Sequence, residues 1–193
     1  MRRLLYIVAF GFWWLPSGCT PDDVFVPPPV YSFISDSDLA EINDRGMPIY
    51  VGSTPPYSMG RFALDSLEIT FDAAGNTGTI GPHEITIDDD GYDFNVTICE
   101  YANDSSSSAC SVKAYISGQV DCFTIYSTNA GRSGRCEHED IAIYSGCFDA
   151  EGHMTNFHKA FFSTSHAGDC AGRPAIGYLQ IQAEMDGFSE WIE

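Results

Sequence analysis

Positive charge is scarce in this chain of 193 residues: nine lysines and arginines stand against 27 aspartates and glutamates, a formal charge of −18. A surface of that sign repels nucleic acid and anionic lipid headgroups, so neither is expected as a partner. The acids are spread along the chain rather than gathered in a tail, as in a solvated exterior.

Other patterns are missing too. No Cys-x-x-Cys pair exists, and His83, His138, His153, His158 and His166 form no helix-spaced pair, so a zinc finger is excluded and no metal is expected. There is no Gly-x-Ser-x-Gly elbow; Gly131-Arg132-Ser133-Gly134 lacks the spacing. No phosphate-cradling glycine loop or dinucleotide fingerprint is present, and no cofactor is expected. The acidic run Asp88-Asp89-Asp90-Gly91-Tyr92-Asp93 fails as an EF-hand, because Thr86 and Thr97 stand where that loop needs an acid and a bidentate glutamate. It reads as a hairpin turn with solvated acids. Asp149 or Glu151 with His153 is the best candidate for a hidden hydrolase site.

Long apolar runs are absent apart from Leu4 to Leu15, which follows Met1-Arg2-Arg3. That run is shorter than the roughly twenty residues a bilayer-spanning helix needs, and it has the layout of a signal peptide. It leads into Leu15-Pro16-Ser17-Gly18-Cys19, where small residues precede a cysteine as in the bacterial lipobox; Pro16 departs from that pattern, with the leucine one position early. Residues 1–18 are thus expected to be removed and Cys19 to carry a lipid. Removal takes Arg2 and Arg3 away and moves the formal charge from −18 to −20. Thr20, instead of an aspartate, follows the cysteine, as in outer-membrane lipoproteins, and Asp22-Asp23 resembles a surface-export signal.

The other six cysteines, Cys99, Cys110, Cys122, Cys136, Cys147 and Cys170, are an even set suited to three disulfides in an oxidising compartment. Sequential pairing, Cys99–Cys110, Cys122–Cys136 and Cys147–Cys170, is the simplest expectation, with a hairpin centred near Asn129 setting Cys122 opposite Cys136. Each closure would stabilise by about 3 kcal/mol in the chain-entropy picture.

Pro21 and Pro27-Pro28-Pro29 mark residues 19–34 as an extended tether, and 35–193 as one disulfide-stabilised β domain. Ser35 to Arg45 has capping residues, Leu39 and Ile42 on one face, and Gly46 at the terminating position, which predicts a short helix. Prolines 48, 55 and 56 make 47–60 irregular. Eight strands are then expected, near 62–72, 83–89, 92–101, 110–117, 120–127, 138–147, 154–163 and 175–185, each with one buried and one wet face. Asp90-Gly91 fits a type I′ turn and Gly118-Gln119 a type II′ turn. Sequential hairpins of this kind predict an all-β fold, an antiparallel eight-stranded up-and-down barrel with one short N-terminal helix; a two-sheet β-sandwich is the alternative.

Pro48-Ile49-Tyr50-Val51-Gly52, Pro55-Pro56, Gly60-Arg61-Phe62, Tyr115-Ile116-Ser117-Gly118, Phe123-Thr124-Ile125-Tyr126, Ser145-Gly146, Asp186-Gly187 and Glu190-Trp191 resemble a group of uncharacterised bacterial surface lipoproteins. Gly60-Arg61-Phe62 is also similar to the Gly-x-Trp opening of lipocalin-like barrels, with Phe in place of Trp. The resemblance implies a lipocalin-like barrel behind a lipid anchor and brings no catalytic residues. The expected function is binding rather than chemistry: a carrier of a small apolar ligand held in the barrel, or a structural or adhesive surface protein touching glycans through Tyr and Trp, with an envelope hydrolase third.

Overall fold

The computed structural model describes residues 25–57, 59–91, 94–102 and 108–192. The expected signal segment, Cys19 and the Tyr92-Asp93 end of the acidic run lie outside them. The helix forms where its caps place it. α1 (Asp36–Asp44) is preceded by Ser35, whose side chain accepts from the Asp38 N–H while the Asp38 carboxylate accepts from the Ser35 N–H, a full capping box.

Thirteen strands follow: β1 (Ser53–Thr54), β2 (Gly60–Leu64), β3 (Leu67–Asp72), β4 (Thr79–Ile80), β5 (His83–Asp89), β6 (Val96–Ala102), β7 (Ser108–Cys110), β8 (Lys113–Gln119), β9 (Cys122–Ser133), β10 (Cys136–Phe148), β11 (Met154–Gly168), β12 (Leu179–Glu184) and β13 (Phe188–Ile192). They join in one sheet of order β1-β8-β9-β10-β11-β13-β2-β5-β6-β7, with β12, β3 and β4 branching from β11. The protein is mostly β with one short α-helix, but the sheet is open and mixed, where hairpin spacing predicts eight antiparallel strands closed on themselves. Three features account for the difference. β1 pairs with β8 in parallel. β11 is long enough to serve β13 at one end and β12 in its middle. The outer edge of β6 is taken by β7, and the isolated Asn95–Tyr115 bridge, just before β6, links that margin to β8.

Two apolar clusters lie on opposite faces of the sheet. Phe62, Leu64, Ile85, Ile87, Ile98, Phe123, Ile125 and Phe157 fill one. The other joins Tyr126, Ile141, Ile143, Ala160 and Ile181 to Leu39 and Ile42 of α1 and to Val26, Val30 and Ile34. Residues 140–146 of β10 are therefore buried on both faces, and the expectation of one wet face fails there. The tether expectation changes for the same reason. From Phe25 onward the segment is docked: Pro28–Ser32 is a 3₁₀ turn, with prolines at its start where no N–H is needed, and Val30 is fully buried.

Three disulfides are formed: Cys99–Cys110, Cys122–Cys147 and Cys136–Cys170. The first is as expected; the other two correct the sequential pairing. β9 does not turn at Asn129 but runs to Ser133, and Ser133 pairs with Cys136 around Gly134. The ladder then sets Cys122 opposite Cys147, while Cys136 faces Gly168 on β11, within reach of Cys170. Two turns also move. The β5–β6 connection spans 90–95, with Gly91 at φ +73°, and is longer than a two-residue turn. The β8–β9 turn falls on Val120-Asp121, not Gly118-Gln119. Gly118 instead lets strands crowd, since a Cβ there would stand 2.2 Å from the Cys122 carbonyl oxygen.

Candidate functional site

One end of the sheet gathers the loop before β2, the β8–β9 turn, the β10–β11 turn and the last strand. Between them lies an open groove of about 500 Å³ lined by Pro56, Tyr57, Val120, Asp121, Glu151 and Trp191, among others. A second groove of about 370 Å³ adjoins it and shares Pro56, Tyr57 and Met59; Asp89, Gly91 and Phe94 line its far side. Tyr57 is 85% exposed and stands between the two.

Trp191 is the fixed part of this surface. Its register partner is Phe62, and its ring nitrogen sits where a side chain at position 60 would be: a Cβ on Gly60, at φ +150°, would lie 2.6 Å from Trp191 Nε1. The indole is backed by backbone yet 54% exposed, so it presents a held aromatic surface. Val120, 72% exposed on the same rim, has φ +59°, a conformation a β-branched residue adopts only under constraint. Phe94, on the second groove, has φ +61° and packs its ring 4.9 Å from that of Phe25.

The acids divide into used and free. Asp149 accepts from the Glu151 N–H at 3.0 Å, the His153 N–H at 2.9 Å and His153 Nδ1 at 3.1 Å, and so staples its own turn. Burial alone would raise its carboxyl; the bonds from His153 outweigh that and hold it below its ordinary value. The Asp149–His153 pair is thus brought together, as turn architecture. Asp121 and Glu151 are exposed on the groove, and among the described residues no lysine or arginine lines either groove. The acidic run at 88–91 is likewise local: Asp89 accepts from the Gly91 N–H and Asp90 from the Thr97 hydroxyl.

Two further polar groups lie elsewhere. Glu100 and Lys159 pair at 2.6 Å beside Tyr144. Burial would raise the Glu100 carboxyl, but Lys159 outweighs it and lowers it. At the far end of β10 and β11, Asp140 meets Arg173 and lies 3.8 Å from His138, while fully buried Ser163 pairs with His166 at 2.9 Å. Spacing in the chain does not suggest this gathering, since His138 and His166 meet only through the β10–β11 register. Ser163 has no access to a substrate, and among the described residues no group of three His, Cys, Asp or Glu is arranged to hold a metal ion.

No family model matches the chain, and no curated protein or solved structure does so either. Among the described residues, no helix is long and apolar enough to cross a membrane, which leaves β-barrel membrane proteins untouched.

Proposed function

We propose that this is a lipid-anchored envelope protein, attached through Cys19 to the outer membrane, that recognises a glycan at the groove around Trp191 and Tyr57. The carrying observation is the held, half-exposed indole beside a fully exposed tyrosine. Aromatic faces of this kind stack on the C–H faces of sugar rings, and exposed carboxylates accept from sugar hydroxyls. The packed interior weighs against a ligand carried inside: Phe62, Leu64, Ile85, Phe123 and Ile125 are 0–2% exposed and occupy the space such a ligand would need. A barrel-like curl is part of the reading. It is supported by the Asn95–Tyr115 bridge and by the Ile116 N–H donating to the Phe94 carbonyl at 2.8 Å, where the two margins of the sheet approach.

Trp191 is the only tryptophan beyond residue 18, so its fluorescence reports on the groove without interference in the mature protein. Titration with oligosaccharides should shift that emission saturably, and Tyr57→Ala should weaken the effect. Saturable binding of an apolar dye such as anilinonaphthalene sulfonate to the native protein, with no response to any sugar, would restore the carrier reading and sink this one.

A further inference from the structure

The two grooves that flank Tyr57 carry aromatic and acidic side chains and no lysine or arginine among the described residues. Sugar sites for neutral chains need groups that both donate and accept, because each hydroxyl does both. A carboxylate only accepts. Asp121 and Glu151 in one groove, and Asp89 in the other beyond the bond its Oδ1 takes from the Gly91 N–H, therefore add negatively charged acceptors. The donors present, the Tyr57 hydroxyl, the Trp191 indole N–H and the Asn95 amide, carry no positive charge, on a protein with a formal charge of −18. Tyr57 and Trp191 add the negative faces of their rings, which attract cations and repel anions.

From this we propose that the paired grooves select a glycan bearing free amino groups, an amino-sugar chain lying across Tyr57 with its ammonium groups directed to Asp121, Glu151 and Asp89. The proposal rests on the glycan reading and narrows it to a cationic class. Each ammonium supplies three donors and a positive charge to the carboxylates, which the uncharged donors of Tyr57, Trp191 and Asn95 cannot neutralise, so charge and hydrogen-bonding capacity match together. The same surface rejects uronic-acid and phosphorylated chains by like charge, and discrimination built on repulsion is as effective as added attraction. Asp149 takes little part, because its oxygens are engaged by its own turn.

The test is calorimetric and fluorimetric titration of the mature protein with four probes: a glucosamine hexamer at a pH that keeps its amines protonated, the N-acetylglucosamine hexamer, a galacturonate hexamer and pentalysine. The glucosamine hexamer is expected to bind at least tenfold more tightly than the N-acetylated one, the galacturonate hexamer not at all. Asp121→Asn with Glu151→Gln should remove that tenfold preference, and Trp191→Ala should abolish binding of both neutral and cationic sugars. The two carboxylates are exposed, so their substitution leaves the fold in place, and an unchanged thermal transition checks this. Equal or tighter binding of the N-acetylated hexamer overturns the amino-sugar proposal and leaves the glycan reading standing. Absence of binding by every sugar overturns both. Pentalysine binding as tightly, and surviving Trp191→Ala, reduces the preference to bare charge and likewise overturns the proposal.

Discussion

Trp191 Nε1 occupies the space that a side chain at position 60 would need, with only 2.6 Å available to a Cβ there. Gly60→Ala should therefore push the indole out of place, in addition to the strain of a side chain at φ +150°. The expected loss is about 1 kcal/mol or more, with a changed tryptophan emission maximum in the native protein. Trp191→Ala, which removes a half-exposed ring, should cost less stability while removing ligand response. Urea titrations of the two variants, followed by far-ultraviolet circular dichroism, separate these outcomes.

Disulfide exchange across the sheet gives a second prediction. Peptide mapping of the unreduced protein should recover Cys99–Cys110, Cys122–Cys147 and Cys136–Cys170. Replacing Cys122 and Cys147 together by serine should cost about 2–5 kcal/mol and leave one homogeneous species with two disulfides. Replacing Cys122 and Cys136 together strands Cys147 and Cys170 as unpaired thiols from two different bridges, and should give mixed or dimeric products on a non-reducing gel.

Glu184 sets a stability slope near neutrality. Burial, with smaller contributions from the charges of Asp186 and Asp65, pushes its carboxyl up to about 7, while hydrogen bonds from Ser189 and the Asp65 N–H oppose the shift. The folded state thus holds a proton that the unfolded chain releases near 4.3. Stability contributed by the protonated group is complete below that value and declines as pH rises to about 7. Glu184→Gln mimics the protonated acid, since its oxygen can accept from Asp65 and its amide can donate to Ser189. Urea midpoints at pH 5 and pH 8 should differ less in this variant than in the parent protein; an unchanged difference would refute the assignment.

Asp72 has the opposite sign. Burial would raise it, but Tyr178, Gln180, Ala74 and Asn76 all donate to its oxygens and hold it far below the usual carboxylate range. Its contribution is present above about pH 3.9 and is lost as pH falls through the native value. Asp72→Asn should lower stability at neutral pH and flatten the acid limb of the unfolding profile. Tyr178→Phe should reproduce part of that effect.

The packed interior makes a further prediction. Phe123 is fully buried, with its ring 5.1 Å from that of Phe148. Phe123→Ala should destabilise by about 3–5 kcal/mol and open a cavity that takes up an apolar dye which the parent protein excludes. Dye binding by the unmutated protein would show that the interior is less filled than its packing indicates.

What the chain reveals by itself follows from the range of each signal. The helix at 36–44 is legible because Ser35, Asp38 and Gly46 act within one or two turns of each other. Cys99–Cys110 is legible because a short hairpin joins them. The remaining pairing depends on where β9 ends: instead of turning near Asn129, the ladder runs on from the Asn129–Asp140 pair to Ser133–Cys136, and there β11 flanks β10 on its other edge, a long-range pairing that no local turn residue reveals. β13, which carries Trp191, is five residues long and escapes a pattern search. The groove itself is invisible in one dimension, because Tyr57, Asp121, Glu151 and Trp191 come from four separate connections or strands.

The docking of Val26 and Val30 into the second apolar cluster has a mechanical consequence. With a lipid on Cys19, only six residue steps separate the anchor from Phe25, whose carbonyl already accepts from the Gly52 N–H. A chain of that length reaches at most about 20 Å. The domain would be moored rather than leashed, riding close to the headgroups with little freedom to sweep its surroundings. Partners would have to arrive at the membrane to be met.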